Sequence, residues 1–251
     1  MQDTNAITAG VLRALVAGTV VAAFISIALL PAAGIFEQPV TLSLLVALAA
    51  AVGSRSVHIP YLKMQVTASD IFVFCALVAI APMAAPLVAL ASVVGAVLGR
   101  GRRPFSIRTV FNLGAVPLSM AAAVFLFLGA GGEAGNPTGS ILPLLVAAIV
   151  YPLFNMALAA TAIRLETGRS WFSICKQSIS CVLVSSLSSA LLGAGLLLVL
   201  IEIGPLGLIL GVVPALPIAA YLRSHLKRAA RYVSRRERSD EPARLSAIGN
   251  A

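Results

Sequence analysis

The chain has 251 residues, of which 59% belong to the set Ala, Val, Ile, Leu, Met, Phe, Trp, Tyr and Cys and only 11% are charged, with 18 Lys and Arg against nine Asp and Glu. Mean hydropathy is +1.00. Soluble domains run at roughly 45–50% apolar and about 25% charged; a globule of this size cannot hide so much apolar surface from water, so a soluble enzyme is excluded and an all-α polytopic membrane protein is indicated.

A helix needs about 20 residues to cross a hydrocarbon core. The first apolar run, 11–30, has that length and reads as a retained span, because it exceeds a secretory h-region and Pro31-Ala32-Ala33-Gly34 is a poor cleavage match. A shorter run, 40–53, follows. The stretch 54–70 then has no helical period. Val57 and Ile59 alternate with polar neighbours, and 63–67 alternates again, which predicts extended chain or a short hairpin at the membrane surface. Ser69 or Asp70 stands where a helix N-cap is wanted, before Ile71-Phe72-Val73-Phe74. Runs 70–81 and 84–99 are separated by a break near Pro82 and Pro86. They read either as two thin spans or as a re-entrant hairpin. The runs 109–129, 140–163, 178–201 and 205–222 complete the set. The expected fold is a transmembrane helical bundle over 1–222, with six long spans plus a re-entrant hairpin or with eight spans. A basic tail follows over 223–251, helical to about 238 and then disordered.

Charge sets the orientation. Threaded from a cytoplasmic N-terminus, these runs put all 18 Lys and Arg on one side, eight of them from Arg223 onward, while the connections on the other side carry only Glu37, Glu133 and Glu202. Both arrangements of 70–99 give this partition. The positive-inside bias therefore places both termini in the cytoplasm.

Few residues could carry chemistry. His58 and His225 have no companion ligands, and Cys75, Cys175 and Cys181 show no metal-like spacing and read as packing residues. No Gly-rich phosphate motif is present. Neither catalysis nor a cofactor is expected. The polar residues that interrupt the apolar segments are Asp70, Asn112 and Asn155, the candidate ligand-binding residues. For Asp70 the competing reading is a helix cap; for the asparagines it is interhelical bonding, with Pro117 and Pro152 each freeing a nearby backbone carbonyl. Two small-residue faces, Ala91-Gly95-Gly99 and Ser185-Ser189-Gly193, recur every four residues and predict close helix packing, although the serines could instead line a cleft. In the tail, Leu226, Ala229, Ala230 and Val233 fall at helical spacing among Arg228, Arg231, Arg235 and Arg236, which are expected to contact anionic lipid headgroups. The tail lacks the aromatic interleaving of a nucleic-acid binder.

Thr67-Ala-Ser-Asp-Ile-Phe-Val-Phe74, the Pro-broken hairpin, Gly99-Arg-Gly-Arg-Arg-Pro104 and Phe111-Asn-Leu-Gly-Ala-Val-Pro-Leu-Ser119 follow in an order that resembles the multi-span membrane sensor region at the N-terminus of bacterial HD-GYP and GGDEF signalling proteins. The resemblance covers about residues 39–130; Val116 stands near where that pattern often has Gln. It implies a sensor-like module of the bacterial inner membrane. With about 29 residues after the last run, too few for a cyclase or phosphodiesterase, the output is expected from a cytoplasmic or membrane protein partner. The segment layout is also similar to the substrate-binding S components of energy-coupling-factor transporters, which would imply a permease or substrate-capture subunit.

Overall fold

Serine and glycine punctuate most of the helices: α3, α5, α6 and α7 each start just after a serine, and α2, α4, α5, α6 and α7 each end at or just before a glycine. The computed structural model describes residues 2–32, 35–55, 57–59, 64–66, 68–99, 106–136 and 138–208. Among these residues seven helices follow in order: α1 (Gln2–Ala28), α2 (Pro39–Gly53), α3 (Asp70–Ala79), α4 (Ala84–Leu98), α5 (Ile107–Gly129), α6 (Ile141–Thr167) and α7 (Trp171–Ile203). Pro39 opens α2 at its first turn, where a missing N–H costs nothing. The Ser106 side chain caps α5 by accepting from Thr109 N at 3.2 Å. Gly168, at φ 69°, ends α6 in the left-handed conformation that spares glycine a steric penalty.

Between α2 and α3 lie two short strands, β1 (Val57–Ile59) and β2 (Met64–Val66), paired antiparallel with Val57 opposite Val66 and Ile59 opposite Met64. The alternation in this stretch is therefore a hairpin inside an otherwise helical fold. Four described helical stretches are long and apolar enough to cross a membrane: Thr8–Ala28, Ile107–Gly129, Ile141–Thr167 and Ser178–Ile203. The run at 205–222 is described only to 208, and the basic tail with Arg228, Arg231, Arg235 and Arg236 lies outside the described residues.

Packing is dominated by α1 on α5, α2 on α4, α5 on α6, α6 on α7 and α3 on α7. The small-residue faces are used as expected. A Cβ on Gly95 would run into the backbone of Ala50, one on Gly99 into Ser54, and one on Gly53 into Ser92, so α2 and α4 touch backbone to backbone. On α7, Ser189 is buried, and a Cβ at Gly193 would meet the Ile71 carbonyl of α3 at 2.8 Å. Such approach maximises dispersion contact where lipid removes the hydrophobic drive between helices.

The turn between α3 and α4 is tied to two distant loops. Gly135 N donates to Val78 O at 2.7 Å, and Gln38 Nε2 donates to Ala79 O at 3.4 Å. The α3–α4 turn thus lies level with the α1–α2 and α5–α6 connections. That end of the bundle, with Glu37 and Glu133, is here the acidic end; the opposite end, with Arg55, Arg108 and Arg169, is the basic end.

Candidate functional site

The charged side chains of known burial are exposed with one exception. Arg13, Glu37, Arg55, Arg108, Glu133, Arg164, Glu166, Arg169, Lys176 and Glu202 all face outward, whereas Asp70 is half-buried. A carboxylate withdrawn from water needs a partner, and Asp70 has one: Tyr151 O–H on α6 donates to its Oδ1 at 3.4 Å. Tyr151 is itself buried and meets Phe74 edge-on, with ring centroids 6.0 Å apart and planes at 85°. Phe74 is one helical turn from Asp70, so α3 presents an acid and an aromatic ring side by side to one phenol.

Depth follows from helix rise. Tyr151 stands about 15 Å along α6 from its acidic end, and α3 spans about 15 Å from its own acidic end to Asp70, at 1.5 Å per residue. Both distances put the pair about 15 Å from the acidic end of the bundle. Helix α3 is therefore a half-length helix whose first turn opens inside the bundle. The cap expectation fails in its detail: Ser69 makes no side-chain capping bond, and Asp70 is the first helical residue, turned to Tyr151.

Of the other two candidates, Asn155 is half-buried on α6, four residues beyond Tyr151 and so on the same face toward the basic end. Asn112 is exposed on α5. Helix α3 packs on α7, α4, α2 and α6, which brings Asp70 toward the Asn155 face and leaves Asn112 on the outside of the bundle. Tyr151 was missed from sequence, where its only signal is a phenol beside Pro152 in an apolar run. Chemically, the carboxylate has about four acceptor positions and Tyr151 occupies one. The pair can accept hydrogen bonds from a donor ligand or balance a positive charge. No protein-family model, curated protein or solved structure matches this chain.

Proposed function

We propose that the chain, whose long apolar helices suit an integral membrane protein, works as a sensor-like module that reads a small ligand at the Asp70–Tyr151 pair and acts through a partner. The carrying observation is the hydrogen bond that ties the first residue of the half-length α3 to the middle of α6. At its other end α3 is held to the loops at Gln38 and Gly135. An element anchored at both ends transmits a shift at either one, which is what a sensor needs. Residues 72–82 are buried, so the stretch between the pair and the acidic end is filled with side chains, favouring a device that registers occupancy. Both termini face the cytoplasm in this reading, the spans number eight, and the basic tail rests on anionic headgroups and reaches the partner. The chain does no catalysis.

The half-helix favours a second reading, a permease or substrate-binding transport subunit, since discontinuous helices with inward N-termini build midplane transport sites. Purification of the tagged chain from its native membrane separates the two. A complex with a signalling enzyme whose output changes in Tyr151→Phe supports the sensor. A complex with ATPase subunits that drives ATP-dependent uptake overturns it in favour of transport.

A further inference from the structure

At the acidic end, the start of α2 lies beside the C-terminal ends of α3 and α7, and between them is a cavity of about 510 Å³. This falls within the roughly 300–1,000 Å³ of small-molecule sites. Its apolar wall includes Leu197, Leu200 and Ile201 of α7. Its rim carries Glu37, and no Lys or Arg is among the described residues that line it. The last turns of α3 and α7 add the partial negative charge of helix C-termini. One further group points to a ligand. Thr41 lines the cavity at 4% exposure, and its hydroxyl has no hydrogen-bond partner among the described residues. Thr19, Ser92, Ser119 and Ser186, buried to a similar degree, each donate to a carbonyl; Ser178 and Ser189 on α7 also lack a partner among the described residues, but neither lines this cavity. A buried hydroxyl left unpaired is costly and calls for an occupant that pairs it.

We infer that this cavity binds an ammonium group attached to a small apolar body, with Glu37 balancing the charge, Thr41 hydrogen-bonding the ligand and α7 supplying the apolar wall. The ammonium comes either from a free amine at the acidic face or from an ethanolamine lipid headgroup. The site is separate from Asp70, which lies at the far end of α3, and stands whether or not the sensor reading does.

The test is a thermal-stability titration of the full chain in detergent at fixed ionic strength, with phenethylammonium as probe and 3-phenylpropionate as an anion of matched shape. The cation is expected to raise the midpoint saturably and the anion to leave it unchanged. Glu37→Gln should weaken the apparent affinity at least ~10-fold, as expected for loss of a charge-assisted contact. Thr41→Val, which keeps the shape and only deletes the hydroxyl, should weaken it about 3–10-fold, the range of one neutral hydrogen bond. Asp70→Asn should leave it unchanged. Repeating the titration in nanodiscs with and without phosphatidylethanolamine assigns the source: competition by the lipid identifies the headgroup, and no competition identifies a free amine. Equal stabilisation by cation and anion, or undiminished affinity in Glu37→Gln, overturns the proposal.

Discussion

Ser186 of α7 donates its hydroxyl to the carbonyl of Ala148 on α6 at 2.7 Å, and Ala148 is the residue whose carbonyl Pro152 strips of its helical N–H four residues on. The neighbouring helix supplies the hydrogen bond that the proline removed. In lipid no water can take that place, so the pair holds α6 to α7 by necessity as well as by attraction. Ser186→Ala should cost about 1 kcal/mol, the scale of interhelical hydrogen bonds in membranes. In a Pro152→Ala background α6 regains its own N–H, and the same substitution should become nearly neutral. A double-mutant cycle on unfolding in detergent checks this; equal costs in both backgrounds remove the repair interpretation.

The seam between α2 and α4 predicts a sharp contrast among glycines. A methyl at Gly95 has no space beside Ala50, so Gly95→Ala should force the helices apart and cost about 1–3 kcal/mol of overpacking. At Gly18 on α1 nothing lies within 4 Å. Gly18→Ala should be neutral or stabilise by up to about 1 kcal/mol through helix propensity. Melting midpoints of the two variants should therefore move in opposite directions, or only the Gly95 variant should move.

Arg108 Nη2 and Glu166 Oε1 form an ion pair that links α5 to α6 at the basic end, with the Arg108 side chain 75% exposed. Exposed pairs contribute little because water screens them and two long side chains must be held still. Glu166→Gln should change stability by less than about 0.5 kcal/mol and its effect should fade further in high salt. A larger loss would mean that the pair lies out of reach of solvent.

Orientation can be read with single cysteines introduced into a Cys-free chain. Phe36, Glu133 and Arg169 are all exposed. Cysteine at 36 and at 133 should label from the same side with a membrane-impermeant reagent, and cysteine at 169 only after permeabilisation. Labelling of all three from outside would undo the charge-based orientation, and labelling of 36 and 133 from opposite sides would undo the level at which the α3–α4 turn is placed.

Much of the helical layout could be read from the chain. The run at 40–53 returns as α2 and the break near Pro82 is kept, although Pro86 falls in the first turn of α4. Other boundaries moved for a physical reason. Hydropathy predicts α7 from 178, yet it starts at Trp171, because hydrogen bonding along a helix does not stop where the apolar residues do. Likewise α6 continues to Thr167 and is ended by Gly168 rather than by loss of hydrophobicity. The candidate site was less legible. Asp70 stands out in sequence as an acid at the edge of an apolar run, but its partner Tyr151 is 81 residues away and only the packing of α3 against α7 and α4, with a small contact to α6, brings them together. Asn112 is just as isolated in sequence and faces outward. Isolation reveals that a polar group is unusual, not which way its helix is turned. Pro152 announced a freed carbonyl, and it was Ser186, not an asparagine, that answered it.

The dependence of α3 on α7 also sets an order of assembly. Ile71 and Phe74 are closed over by Gly193, about 120 residues further along the chain, and Asp70 receives its phenol only from α6. While the chain is being made, ten residues of α3 are too few to hold a transbilayer position alone, so they must wait as the partner of α4 until α6 and α7 arrive. Asp70 spends that interval without its tyrosine. The half-length helix is thus among the first segments to leave the ribosome and among the last to be locked in place.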